Sequence, residues 1–350
     1  MRPDPESVER TLAPAARRLL ECRVPGGWWE GELSSSALST ATASAALGLA
    51  GRAEAGRRCA GPAPGAPSAL PQAGLRWLAA NQNPDGGWGD TVLSPSNIST
   101  TALCWAAFSL AAGAGEAGER AVRAAEAWLE RAAGGLEPPV LAEAIARRYG
   151  KDRTFSVPIL TVLALAGKLG PPERAWRLVP QLPFELAACP QRWFRWLRLP
   201  VVSYALPALI ALGLARHHRR PSRNPALRAL RGRLTRRVLG VLEAIQPSSG
   251  GYLEAVPLTS FVVLSLAAQG RAGDRVVRLG TEFLQRTARA DGSWPIDSNL
   301  ATWVTTLSVN ALAGLPDFDA LLPAEERRRI ADWLLVQQGR VEPTPAQGKK

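Results

Sequence analysis

The sequence predicts an all-α protein, an (α/α)6 toroid in which helical hairpins close into a barrel, and three observations carry that expectation. The apolar 46% of the 350 residues leans on Ala and Leu, both strong helix formers, while short β-branched blocks are scarce. Six segments (34–51, 97–113, 154–167, 203–213, 257–270 and 299–314) open on small or helix-starting residues, run apolar on nearly every face and close at Gly, which is the pattern of capped, fully buried helices. Between them lie stretches such as 116–131 and 219–242, rich in Arg and Glu, as expected of an outer layer. Six inner helices alternating with six outer ones, without polar capping units, favour a ring over the open solenoid that is its alternative.

The elements follow from the N-terminus. Residues 1–20 form a helical lead-in, 21–330 the barrel, and 331–350 the start of an uncompleted repeat with a polar tail. A repeated unit punctuates the barrel. Its clearest copies are RWLAANQNPDGGWGD at 76–90 and FLQRTARADGSWPID at 283–297. Looser copies are RRLLECRVPGGWWEGELSSS, beginning at Arg17, and VLEAIQPSSGGYLEAVPL, beginning at Val241. Each joins the end of an outer helix to a polar turn with Gly and an aromatic, then to an inner helix. The amide of Gln82 suits unpaired groups at helix ends, and the indole of Trp88 suits a turn whose carbonyl needs a donor. Gln82, Trp88, Trp294 and Trp333 are therefore expected to be structural, tying neighbouring hairpins together.

The net charge of +12 comes almost wholly from Arg, Lys occurring only at 151, 168, 349 and 350. Residues 216–237 hold nine Arg and no acid, read here as a solvated connector. Aromatics are absent from it, which argues against a nucleic-acid site. An anionic membrane surface is the partner expected for it. Cys22, Cys59, Cys104 and Cys189 lack metal-binding spacing and read as reduced thiols of a cytoplasmic protein, peripheral on the inner face of the membrane where it meets lipid. The start of the chain has no leader pattern, and the most membrane-like run, 201–215, is short of the ~20 residues of a span and contains Pro207. His217 and His218 sit in the Arg-rich stretch away from any Cys, so no metal is expected, and no nucleotide-binding or nucleophile-elbow fingerprint occurs. No cofactor is expected.

RWLAANQNPDGGW resembles the QW repeats of triterpene cyclases, specifically squalene-hopene cyclase and its class II terpene cyclase relatives. The resemblance extends over 20–340, including the Pro- and aromatic-rich stretch from YGKDRTFSVPIL to QRWFRWLRLPVVSYALPALIALG. It implies a terpenoid-cyclase-like fold, isomerase-type (intramolecular transferase) chemistry on squalene or a similar isoprenoid, and a layout of two α-barrel domains with the polyene between them. The acid of that family is the central Asp of an Asp-x-Asp-Asp motif, and that string is absent. The nearest carboxylates are Asp297, in DSNL, and Asp317 and Asp319, in PDFDALL, all expected to be turn or cap residues. The resemblance thus implies the N-terminal half of a cyclase, with WLLVQQ at 333–338 leading toward an acid-bearing segment found on a second cyclase half or, in another arrangement, in a homodimer. Alkene protonation needs a carboxylic acid kept protonated in a dry cavity beside an anionic neighbour, and aromatic faces to hold the cation. Trp193, Phe194, Trp196, Tyr204 and Trp303 are the substrate-binding candidates. The other reading is a non-catalytic isoprenoid-binding or scaffold protein at a membrane surface.

Overall fold

The computed structural model describes residues 4–58, 69–111, 115–190 and 204–337. In chain order the helices are α1 (Pro5–Glu21), α2 (Ala37–Arg58), α3 (Leu70–Ala80), α4 (Ile98–Ala111), α5 (Gly115–Ala133), α6 (Pro138–Tyr149), α7 (Arg153–Leu165) and α8 (Pro172–Leu178). They continue with α9 (Leu206–Arg219), α10 (Pro225–Ala244), α11 (Val256–Ala267), α12 (Arg275–Arg286), α13 (Ala301–Ala313), α14 (Phe318–Leu321) and α15 (Ala324–Gln337). Two 3-10 turns, Phe184–Ala188 and Tyr252–Glu254, and four isolated β-bridges complete the described residues, among which there is no strand. The protein is all-α. No described helix is long and apolar enough to cross a membrane.

The chain divides into two compact units. The larger spans Leu33–Ser298, and the smaller joins the described parts of Met1–Glu32 and Asn299–Lys350. In the larger unit the inner helices touch in a cycle: α2 packs on α4, α4 on α7, α7 on α9, α9 on α11, and α11 on α2. Their burial explains their composition. Ala41, Ala43, Ala45 and Ala46 of α2 are at most 0% exposed, as are Thr40 and Ser44, so this helix presents small side chains on every side. Small residues let backbones approach: a Cβ on Gly48 would stand 2.8 Å from the Ala111 Cα of α4. Outer helices α3, α5, α6, α8 and α12 each cover part of this cycle. α12 is strongly amphipathic, burying Val276, Val277, Gly280, Phe283 and Leu284.

Two expectations are corrected. The segment 299–314 was to be a sixth inner helix of one barrel running over 21–330. Instead α13 belongs to the smaller unit, where it buries only Thr305, Ser308 and Leu312 and leaves Trp303 and Leu307 more than half exposed. The unit boundaries fall at Glu32/Leu33 and Ser298/Asn299, not at 20/21 and 330/331. The other concerns the bounds of the Arg-rich stretch, whose expected outer helix over 219–242 begins at Pro225, after α9 has run to Arg219. The break has a local cause. Asn224 caps α10, its Oδ1 accepting from the N–H groups of Ala226 (2.9 Å) and Leu227 (3.2 Å), and Pro225 fits the first helical position while disfavouring a helical residue before it.

Candidate functional site

Four turns share one construction. Two residues after a Gly of positive φ (Gly27 at 96°, Gly86 at 92°, Gly250 at 84°, Gly292 at 87°) stands a ring that is 2% exposed or less: Trp29, Trp88, Tyr252 and Trp294. Each ring donates to the carbonyl of the Leu ten residues earlier. The indole Nε1 atoms of Trp29, Trp88 and Trp294 reach Leu19 O (2.7 Å), Leu78 O (3.0 Å) and Leu284 O (2.7 Å), and the Tyr252 hydroxyl reaches Leu242 O (2.8 Å). Those carbonyls lie in the last turns of α1, α3, α12 and α10, where intrahelical partners run out. The aromatic ring therefore caps the outer helix while burying roughly 150–250 Å2 of its own surface.

A second bond joins each turn to another helix, an inner helix of the larger unit in three cases and α13 of the smaller unit in the fourth. The backbone N–H of each ring residue donates to a buried Thr hydroxyl at 3.0 Å: Trp88 to Thr101, Tyr252 to Thr259, Trp294 to Thr40, and Trp29 to Thr305. In two turns a Gln adds a further clasp. Gln82 Nε2 donates to Gly86 O (2.7 Å) and Ala121 O (2.9 Å), and Gln246 Nε2 to Gly250 O (3.0 Å) and Val276 O (3.1 Å). In the first turn Arg23 takes the place of Gln: its Nε donates to Gly27 O at 2.9 Å and its guanidinium pairs with Glu326. Gln82, Trp88 and Trp294 thus each bond backbone groups of a turn or a neighbouring helix end. Gln246, Arg23 and the four Thr residues were not singled out from the sequence, although Gln246 stands six residues before its ring residue, as Gln82 does.

The partners of the outermost turns are exchanged. Trp29 and Trp294 each have a Thr eleven residues onward, Thr40 and Thr305. Yet Trp294 bonds Thr40 within the larger unit, and Trp29 bonds Thr305 within the smaller one. In the larger unit Leu33 N–H donates to Asp297 O (3.1 Å) and Ser36 N–H to Trp294 O (3.0 Å). Arg289 fastens the same place, donating to Ser35 Oγ and Leu33 O, each at 2.6 Å. The larger unit is therefore closed by bonds between its first and last residues.

The candidate acids are spread apart in role. Asp297 is half-buried, and burial raises its carboxyl above the usual range. Its backbone, beside Ala255 in a β-bridge, adjoins a turn in which Leu253 and Glu254 both have φ of 54°, a conformation costly for residues with a Cβ. Glu254 accepts from Ser298 Oγ at 3.3 Å and from Ser249 Oγ. Asp317 and Asp319 belong to the smaller unit. Asp317 lies in the turn before α14 and makes no side-chain cap bond, and Asp319 is exposed and accepts from Arg327 at 2.6 Å. Asp152, by contrast, caps α7 through Thr154 N–H at 2.8 Å. Among the described residues no three His, Cys, Asp or Glu side chains gather as a group that could hold a metal ion.

Of the aromatic candidates, Trp193, Phe194 and Trp196 lie outside the described residues. Tyr204 is 55% exposed. Trp303 and Trp333 come together in the smaller unit, but Trp333 does not cover a Gly turn as a repeat Trp does: it stacks on Trp28, ring centroids 4.8 Å apart and planes within 9°. Trp105 of α4, nearly buried, carries Lys168 Nζ 4.1 Å from its ring centre and donates to Glu126 at 2.9 Å. Burial lowers the Lys168 ammonium, with Glu126 opposing it.

The cationic end of α9 is built into the protein rather than simply solvated. Arg216, 8% exposed, donates from Nε to Val179 O at 2.7 Å, and burial, then Arg220 and Arg231, push its guanidinium down to about 10. Arg231 is buried and pairs with Glu185 at 2.8 Å. Beyond these, Arg223, Arg228, Arg233, Arg236 and Arg237 are exposed.

No family model matches this chain, and no curated protein matches it. The chain is similar to the crystal structure of a protein from Actinoplanes over 81% of its own length and 82% of that chain, at 20% identity and a TM-score of 0.34, too low to bear on fold or function.

Proposed function

We propose that the chain is a squalene-hopene-cyclase-like protein of triterpenoid metabolism, in which the larger unit is a toroid of helical hairpins that binds a polyene, and in which the protonating acid comes from another polypeptide. The observation that carries this reading is the fourfold turn: Gly at positive φ, a buried ring capping a helix end, and a buried Thr hydroxyl from another helix, in three of the four an inner one. The same turns contain the QW-like strings of the sequence. The cycle α2–α4–α7–α9–α11 supports a ring with five inner helices in place of the expected six. Asp297 has the raised affinity for a proton that an acid needs, but burial alone raises it among the described residues, with no charged partner acting on it, whereas protonation of an alkene demands an anionic neighbour and a dry chamber.

Incubating the purified chain with squalene tests the proposal. Squalene is expected to bind and to be recovered uncyclised. Cyclic products from the wild-type chain, lost in Asp297→Asn, would refute the assignment of the acid to another polypeptide, and absence of squalene binding would refute the polyene reading itself.

A second reading, a protein that docks on an anionic membrane surface, is favoured by one observation. Arg228, Arg233, Arg236 and Arg237 of α10 are exposed, Arg233 and Arg237 on the helix face of Leu230, itself 46% exposed, and no ion pair to an acidic side chain is seen for them among the described residues. Each such charge near an anionic surface contributes about 1 kcal/mol. Co-sedimentation with anionic liposomes should be strong at low salt and lost at high salt. Absent or salt-insensitive binding would remove this reading.

A further inference from the structure

The smaller unit contains an open cavity of about 460 Å3, within the roughly 300–1,000 Å3 of small-molecule sites. Trp28, Trp303 and Trp333 supply indoles to its wall, joined by Glu30, Asn299 and Gln337. The stacked Trp28–Trp333 pair fixes one wall. Trp28 Nε1 donates to Glu30 Oε1 at 3.1 Å, which holds the carboxylate beside the rings. Asn299 Oδ1 is engaged at the start of α13, accepting from Ala301 N–H at 2.9 Å. Trp303, one turn into the same helix, is 56% exposed, an unusual state for a large indole unless its face has a use.

Charge selects the ligand. The chain carries +12, yet among the described residues that line this cavity there is no Lys, Arg or His, and Glu30 is the charged one. Indole faces carry the negative lobe of the ring quadrupole and attract cations. A quaternary ammonium brings no N–H donors that would need acceptors, so aromatic faces can replace its water without leaving a polar group unpaired. We propose that this cavity binds a quaternary ammonium group, held between the indoles and the Glu30 carboxylate. The site lies wholly in the smaller unit and does not depend on the polyene reading.

Isothermal titration of the full chain with choline is the test, with 3,3-dimethylbutan-1-ol as the neutral probe of the same shape. Choline is expected to bind and the neutral alcohol to bind at least several-fold more weakly. Trp303→Leu, at an exposed position that keeps apolar bulk, should weaken choline roughly 3- to 30-fold, the scale of one cation–π contact. Trp303→Phe should retain most of the binding, and Glu30→Gln should weaken choline while leaving the neutral alcohol unchanged. Thermal melts of the variants verify that the fold is intact. Recruitment to phosphatidylcholine vesicles, reversed by choline, would identify the lipid headgroup as the source of the ligand; choline binding without recruitment would identify a free solute. No choline binding, equal binding of the neutral alcohol, or undiminished binding in Trp303→Leu would overturn the proposal.

Discussion

Replacing Gly250 by Ala tests the turn construction at its most crowded point. Gly250 has φ of 84°, and a Cβ there would stand 2.3 Å from the carbonyl oxygen of Leu279 in α12. Holding an L-residue in this left-handed conformation costs about 1–2 kcal/mol. Relieving the contact means moving the turn or the helix backbone, because the obstructing atom is not a flexible side-chain end, and overpacking of this kind costs about 1–3 kcal/mol more. The sum is about 3 kcal/mol, which for a unit of this size corresponds to a fall in Tm of roughly 6–12 °C. Gly240 provides the opposite case, since it lies within α10 with nothing within 4 Å of its would-be Cβ. Gly240→Ala should stabilise by about 1 kcal/mol through helix propensity. Thermal unfolding followed by circular dichroism at the helix band reads both variants. A Gly250→Ala melt within about 2 °C of wild type, or one that shifts in the same direction as Gly240→Ala, would refute the reasoning.

Thr40→Val should destabilise the larger unit by about 1–3 kcal/mol, because the Trp294 N–H then loses its acceptor at a fully buried site; denaturant titration measures it, and a neutral result would deny that this bond closes the unit. Glu185→Ala should cost about 3–5 kcal/mol by leaving the buried Arg231 guanidinium uncompensated, and replacing both partners by apolar residues should recover much of that loss. His217 is lowered from 6.5 by burial first, then by Arg231, with Arg216 and His218 acting in the same sense and Glu185 opposing. The folded state thus prefers the neutral ring, so this contribution to stability is complete above about pH 6.5 and is lost as pH falls through the depressed value. Unfolding free energies from pH 7 to 5 should therefore fall less steeply in His217→Gln than in wild type, and parallel curves would count against it.

The sequence by itself determined the helical class and the positions of most helices, because both are written in near neighbours. The apolar run ending at Gly270 and the amphipathic run of α12 each state their burial within a few turns. It also determined the turns, since Gly at positive φ and a ring two residues later are local requirements. Gln82, Trp88 and Trp294 were legible for that reason. What only the tertiary structure decided is which inner helix each turn grips. Trp29 and Trp294 stand before equally suitable Thr residues in sequence, and their bonds go instead to Thr305 and Thr40; the choice lies in contacts more than 250 residues apart, to which local pattern is blind. The same long-range choice places α13 in the smaller unit and brings Trp28, Trp303 and Trp333 around one cavity. An apolar helix looks the same in sequence whichever core receives it, so burial was readable from the residues and membership of a core was not.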